Sequence, residues 1–357
     1  MDFTPTEDRR LLAETLDRFL ADRYPFQHRL AVAYREPWHD PAAWGALCGL
    51  GILSALVPEA RGGFGGQGFD IATVFESLGR ALCPEPVLPA LMALRALMPT
   101  GRALDDVLDG SRQVALALFE GDGGIGFGQI ATRAERRGGG WALSGRKAVV
   151  YGGHVAAELL VAARHDDTLG LFSVSAGDAR RLAYGMIDGG GAAEILLEAT
   201  PAELMIADAE AVLGDALEAG ALALCAEAVG AMDRAIEMTT EYLRTRRQFG
   251  RPIGSFQALQ HRLVDLAIER EQARSITIAA AAALGTEGQS RAVSMAKALV
   301  GGAARRIAEE AIQMHGGIGM TWEAAIGHYA KRLVMLDHQL GDADAHLDRL
   351  AAAYCGG

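Results

Sequence analysis

Seven consecutive residues at the end of one apolar helical pattern carry the densest chemistry in the chain: Arg244-Thr245-Arg246-Arg247-Gln248-Phe249-Gly250. Guanidinium forks match phosphate oxygens, which makes this run a candidate anion site. Cations in the last turn of a helix also suit the negative end of its dipole, so capping of a solvated tip explains the arginines equally well. The Gln, Phe and Gly that follow favour a ligand. An aromatic face and a permissive glycine beside phosphate-binding groups suit a flat, phosphorylated cofactor. A second run, Gln313-Met314-His315-Gly316-Gly317-Ile318-Gly319-Met320, closes another helical pattern. One glycine satisfies a helix C-cap; three in four residues point to backbone close to a ligand.

Other motifs read as structural. Gly121-Asp122-Gly123-Gly124-Ile125-Gly126 satisfies GxGxxG, but a charged stretch and Gly138-Gly139-Gly140 follow it where a dinucleotide site needs a helix, so it reads as a loop. Ser144-Gly145-Arg146-Lys147 satisfies SxxK without its companion motifs, at an expected hairpin turn. No HExxH, Walker loop or GxSxG occurs, and nothing argues for metal catalysis.

The elements that must position the two runs fall into three segments. Over residues 1–110, Leu11, Leu12, Leu16, Phe19 and Leu20 recur at helical spacing after a candidate N-cap, Thr6. The glycine-dense stretch Pro58 to Gly66 is a loop, and helical periodicity resumes from Ile71 to Leu82. Residues 111–210 carry short apolar runs. Val114–Phe119, Leu159–Ala163 and Gly170–Val174 predict strands, and Trp141–Val150 predicts two strands about a tight turn. Strands without intervening helices suggest an antiparallel barrel or sandwich. Residues 211–357 are helical again. An apolar stripe from Leu217 to Leu243 spans about eight turns and argues for a bundle. Further helices are expected over Ser255–Leu284, Gln289–His315 and Trp322–Asp337.

Composition bounds the rest. The 357 residues allow two or three domains with ample core. A net charge of −11 argues against a general nucleic-acid binder, while leaving room for a local basic cluster. Cys48, Cys83, Cys225 and Cys355 form no CxxC or Cys/His pattern, and are expected to be buried, reduced thiols. Met1 to Arg10 has no apolar h-region, and no run of about 18 apolar residues appears, so a cytoplasmic protein with no membrane association is expected.

The two runs together resemble the acyl-CoA dehydrogenase family. Tyr242 to Gln257, with Arg246, Gln248, Phe249, Gly250, Pro252, Ile253 and Phe256, is similar to one of its signatures; Gln313 to Met320 is similar to the other; Pro58-Glu59 with Gly62–Gly65 resembles its N-terminal helical domain. The resemblance covers almost the whole chain. It implies a mainly α fold with a central β domain: an N-terminal α-helical domain (1–110), a middle β-barrel or sandwich (111–210) and a C-terminal four-helix bundle (211–357). It implies bound FAD, an acyl-CoA substrate, an electron-transferring flavoprotein as acceptor and a tetramer. By resemblance, Arg246, Gln248, Phe249, Gln313, Gly316 and Gly317 contact the FAD of a neighbouring subunit.

The family chemistry is α,β-dehydrogenation of a thioester, in which a carboxylate removes the α-proton as the β-hydrogen leaves as hydride to flavin N5. The sequence departs from the pattern here. The family base is a Glu in a Glu-Gly pair after the second signature, and no Glu lies between Glu323 and the C-terminus. Asp342 is the nearby candidate base, with Asp337 and Asp344 as bystanders; where the family base sits on the long helix instead, the matching position is about Gly220, with Glu218 two residues earlier on the other face and Glu227 further along as a lower-ranked acid. The family's substrate-contacting Arg corresponds to about Ala221, and its flavin-contacting middle segments are replaced by Phe119-Glu120-Gly121 and Val149-Val150-Tyr151. Within the family the chain most resembles the small subunit of a pimeloyl-CoA dehydrogenase, and it also fits subunits of steroid side-chain acyl-CoA dehydrogenases. Two readings follow: a catalytic flavoenzyme with Asp342 as base, or an FAD-completing subunit of a heterotetramer whose paralogous large subunit supplies the base.

Overall fold

The structure is a computed structural model that describes residues 6–121 and 126–355. The centre of the GxGxxG run, residues 122–125, lies outside the described residues. Helices α1 (Glu7–Arg23), α2 (Phe26–Ala33), α3 (Pro41–Gly49), α4 (Gly68–Ala81), α5 (Val87–Leu97) and α6 (Asp105–Leu108) come first. Strands β1 (Val114–Ala117), β2 (Arg133–Arg137), β3 (Gly140–Tyr151), β4 (Glu158–His165), β5 (Thr168–Ser175), β6 (Arg180–Gly185) and β7 (Gly191–Ile206) follow. The rest is α7 (Glu210–Thr245), a short hairpin β8 (Arg247–Gln248) and β9 (Arg251–Pro252), then α8 (Gln257–Ala283), α9 (Gln289–His315), α10 (Ala325–His338) and α11 (Ala343–Cys355). The fold is mainly α with a central β region, as the sequence indicates.

The chain divides into two compact units. One comprises Leu30–Gln67 and Pro84–Gly220 and holds the sheet. In it β4 pairs with β2 and β5, β5 with β7, β7 with β3, and β3 with β2, so five strands close on themselves. Closure leaves no free edge on that path. β1 departs from the antiparallel expectation by running parallel to β4. Leu143, Val150, Leu159, Val161, Phe172, Ile195 and Leu197 share one hydrophobic core, supplied by the alternate positions of these strands. The Trp141–Val150 stretch is one long strand rather than a hairpin. Gly145 marks a register shift, because a Cβ there would meet Thr132 Oγ1 at 2.5 Å; an isolated strand glycine here signals close backbone approach and a bulge. The SxxK pair separates accordingly. Ser144 faces solvent and Lys147 is fully buried.

The other unit contains the segments up to Arg29, Gly68–Cys83 and everything from Ala221 on. Thr6 caps α1, accepting from the Arg9 N–H at 3.4 Å. α9 packs on α8, α10 and α11. α4 crosses α7 closely enough that a Cβ on Gly79 would lie 2.0 Å from the Glu227 carbonyl oxygen, and one on Gly230 1.9 Å from that of Glu76. Two helices meeting backbone to backbone need glycine at both crossing points. Gly230→Ala is expected to lower unfolding stability by about 2 kcal/mol, with Gly302→Ala, which meets open space, as a neutral control; equal denaturation midpoints for both variants would refute the close crossing. The four cysteines are free. Cys48 and Cys225 are buried, and burial pushes each thiol up to about 12. Cys355 is exposed, against expectation, because the last turns of α11 lie at the surface. Among the described residues no helix is long and apolar enough to cross a membrane.

Candidate functional site

The two signature runs meet at one end of the bundle unit. α7 stops at Thr245, and Tyr242 in its last turn stacks on His315 in the last turn of α9, with ring centroids 4.5 Å apart and planes at 21°. The His315 Nδ1 lies 2.8 Å from the Ala311 carbonyl oxygen, and burial holds this imidazole below the usual histidine range. The stacked pair ties the α7 and α9 termini together.

Beyond α7 the chain turns back through β8 and β9. Phe249 at φ 53° and Gly250 at φ 79° form the two-residue turn, with both central residues left-handed. A phenylalanine at positive φ costs roughly 1–2 kcal/mol, and it holds a side chain that is 90% exposed. Phe249 meets Phe256 edge-on at 6.1 Å, and the Arg251 guanidinium lies 4.0 Å from the Phe256 ring centre. The hairpin is thus braced from beneath while Phe249 itself remains uncovered. Arg247 donates to the Gly250 carbonyl at 3.1 Å. Arg244, Arg246 and Gln248 are exposed, and among the described residues their side chains have no hydrogen-bond or ion-pair partner. The reading of these arginines as a mere helix cap loses support, since the guanidinium groups of Arg244 and Arg246 bond no terminal carbonyl.

On the α9 side Gln313 is exposed and uses its amide for no contact among the described residues. Gly316 adopts φ 66°, ψ −148°, a region open only to glycine. A Cβ on Gly316 or Gly317 would meet nothing within 4 Å, so both present bare, open backbone. Ile318, Met320 and Trp322 continue this end as exposed apolar surface. Guanidinium groups, an amide, open backbone and uncovered apolar side chains therefore lie on adjoining ends of α7 and α9, and a flat, phosphorylated ligand such as FAD fits that donor set.

Three of the acids around the candidate base position, Asp342, Asp337 and Glu227, are engaged. Asp342 is half-buried and caps α11, its Oδ1 accepting from the Ala345 N–H at 2.9 Å. The turn before it is set by Leu340 at φ 57° and Gly341 at φ 91°. Asp337 is 1% exposed, accepts from Arg305 at 2.7 Å and from the Ala343 N–H at 3.1 Å. Lys297, buried in α9, donates to the carbonyls of Leu336 and Asp337 at 2.8 and 2.9 Å, which closes the end of α10. Glu227 is buried and gripped by Arg332 through two bonds of 2.6 and 2.7 Å. Asp344 is exposed.

In the sheet unit Glu120 accepts from the Ala131 and Thr132 N–H groups at 2.7 and 3.0 Å, from the Thr132 hydroxyl and from Lys147. Burial alone would raise this carboxyl; Lys147 and the hydrogen bonds hold it below the usual range. Burial lowers Lys147 to about 8 against the attraction of Glu120. This pair went unread in the sequence, because nothing in a strand pattern marks an inward lysine whose partner is 27 residues away. Val149, at φ 49° beside a second register shift, is partly exposed.

Residues 6–100 match the acyl-CoA dehydrogenase N-terminal domain and residues 211–354 the acyl-CoA dehydrogenase C-terminal domain. The acyl-CoA dehydrogenase IpdE2 of Mycolicibacterium smegmatis is 30% identical over 97% of this chain and 99% of its own. IpdE2 of Mycobacterium tuberculosis is 32% identical over 92% of each. Among solved structures, the Tcur3481-Tcur3483 steroid ACAD G363A variant superposes with a TM-score of 0.90 at 33% identity over 98% of both chains. The ChsE4-ChsE5 complex from Mycobacterium tuberculosis gives 0.91 at 28% identity over the full length of both. The chain belongs to the acyl-CoA dehydrogenase family, oxidoreductases that act on CH–CH bonds.

Proposed function

We propose that this chain is one subunit of a two-component, FAD-dependent acyl-CoA dehydrogenase, and that its partner subunit supplies the catalytic base. The observation that carries the reading is a contrast within the bundle unit. The cofactor-type groups are exposed and unused, whereas one oxygen of Asp342, the candidate base, is engaged in capping a helix. A base needs a lone pair directed at the substrate α-carbon, and a carboxylate oxygen accepting a helix N–H is a weaker and misdirected one. The absent arginine near Ala221 points the same way.

In this reading Arg246 neutralises the cofactor's phosphates and Gln313 hydrogen-bonds to it. Gly316 and Gly317 let it approach the backbone, and Phe249 covers an apolar part. FAD, when bound, supplies the oxidant that accepts the β-hydrogen of the thioester as hydride. The relatives that resemble this chain over its full length include two structures named for two components, which supports a mixed assembly. The 33%-identical structure is a steroid enzyme, so steroid side-chain CoA thioesters are the first substrates to test and pimeloyl-CoA the second. An electron-transferring flavoprotein is the proposed acceptor.

The test co-expresses the chain with its neighbouring paralogue and compares it with the chain alone. Stoichiometric flavin and bleaching by an acyl-CoA are expected only from the pair. Arg246→Gln in the pair is expected to weaken FAD retention about 10- to 100-fold, the worth of one or two charge-assisted hydrogen bonds. Asp342→Asn keeps a capping side chain and is expected to leave turnover within about threefold. A loss of turnover in Asp342→Asn with full flavin content would place the base on this chain and refute the proposal.

A further inference from the structure

An open groove of about 750 Å3 runs along the surface of the bundle unit between α8 and α9, and none of its lining belongs to the two signature runs. Val264, Ala267, Ile268 and Ile276 of α8 line one wall and Leu299 of α9 the other. Val264, Ile268 and, one turn before Leu299, Met295 are 57%, 51% and 42% exposed. Large apolar side chains uncovered together on one face mark a contact surface. The charges at its border are already paired within the chain. Arg262 meets Glu310 at 2.6 Å, Arg306 meets Glu269 at 2.7 Å and Arg270 meets Glu271 at 2.9 Å. An occupant therefore gains little by carrying net charge, and a neutral, apolar surface is what the groove matches.

The exposed positions of α8 themselves supply such a surface. Val264, Ile268, Glu271, Gln272, Ser275 and Ala279 follow helical spacing along one stripe, and all are exposed. The stripe is ordered by size. Its first half carries the large Val264 and Ile268, its second half the small Ser275 and Ala279, and the polar pair Glu271-Gln272 stands at the middle. Two copies of this helix laid antiparallel about a two-fold axis at that midpoint bring Val264 onto Ala279, Ile268 onto Ser275 and Glu271 beside Gln272 of the other copy. Each large side chain then meets a small one, twice over by symmetry. The Gln272 amide makes no hydrogen bond among the described residues, so its N–H groups are available to the other copy's Glu271 carboxylate. Ser275 donates to the Glu271 carbonyl of its own helix at 2.8 Å, and so leaves no idle hydroxyl under the Ile268 that covers it. We propose that α8, with the groove beside it, is a self-recognition surface that joins two copies of this chain in this register. In a two-component assembly it joins like subunits, and it is separate from the cofactor-type groups at the ends of α7 and α9.

Sedimentation equilibrium of the full-length chain reads the contact. Reversible self-association is expected. Ile268→Asp sets an unpaired carboxylate into the apolar contact and is expected to weaken association at least about tenfold. Ile187→Asp, at a 65%-exposed isoleucine of the sheet unit, is the control and is expected to leave it unchanged. Ser275→Lys alone is also expected to weaken association, because a long cation replaces a small side chain under Ile268. The register makes a sharper prediction. Ile268→Asp/Ser275→Lys sets each new carboxylate against the other copy's new ammonium, so the double variant is expected to associate more tightly than either single variant. In native mass spectrometry of the chain with its paralogue, Ile268→Asp is expected to split the assembly into one copy of each, with flavin content unchanged. A chain that stays monomeric at the highest attainable concentration, association untouched by Ile268→Asp, a double variant no tighter than the single ones, or loss of the paralogue rather than of the second copy would each overturn the proposal.

Discussion

Arg332→Met is expected to lower unfolding stability by about 3–5 kcal/mol, the cost of stranding a buried charge. Glu227 is 5% exposed on α7, and Arg332 on α10 holds both its oxygens in a fork that also reaches the Gln339 amide oxygen at 3.2 Å. Without the guanidinium, Glu227 must either ionise alone in the interior or take up a proton, and both cost free energy. The pair itself adds little net stability over a well-packed apolar substitute. The double variant Arg332→Met/Glu227→Leu is therefore expected to recover most of the loss. Denaturant midpoints of the wild type, both single variants and the double variant make the cycle. A cost below about 1 kcal/mol for Arg332→Met would show that the fork does not compensate a buried charge.

The second large effect is a pH dependence in the sheet unit. His154 has both ring nitrogens buried without a hydrogen-bond partner among the described residues. Trp38 packs on it edge-on at 5.8 Å, and His39, whose Nδ1 lies 3.1 Å from Glu85, stands 6.2 Å away. Burial first, then the charges of His39 and Arg181, push His154 down to about 4 from 6.5. Because the folded value is depressed, the unfolded chain binds the extra proton first as pH falls. The stability contributed by a neutral His154 is complete above pH 6.5 and declines as pH drops from there toward 4. The shift corresponds to on the order of 3 kcal/mol, and residual solvent access reduces it to about 2 kcal/mol at pH 4.5. His154→Phe is expected to remove this part of the slope, so the wild type loses about 2 kcal/mol relative to the variant between pH 7.5 and 4.5. Parallel stability curves over that range would exclude His154 as the titrating group. Carboxylates such as Glu120 and Glu158, held below their usual range, add their own acid sensitivity equally to both proteins.

The elements were legible in the sequence wherever a local period decides them. The apolar stripe ending at Leu243 and the pattern over Gln289–His315 became α7 and α9, because helical periodicity and burial are the same fact on a long amphipathic segment. The one misread element, Trp141–Val150, turned on Gly145. A glycine in a strand serves a turn or a bulge equally well, and only the Thr132 backbone across from it selects the bulge. The parallel pairing of β1 was unreadable for a similar reason, since strand direction is set by where the chain returns.

The candidate site divides along the same line. Residue types alone marked the arginines, Gln313 and the glycine run as candidates, because phosphate recognition and bare backbone each demand particular side chains. Tertiary structure decided that the two runs adjoin, through Tyr242 on His315, which are 73 positions apart in sequence. It also decided what the acids are bonded to. Asp342, Asp337 and Glu227 are all plain carboxylates in the sequence, and only their neighbours make one a helix cap, one the partner of Arg305 and one the partner of Arg332. Availability of a lone pair is a property of what surrounds a carboxylate, and so the sequence determined the family and the cofactor-type groups while the fold determined which acids remain free to act.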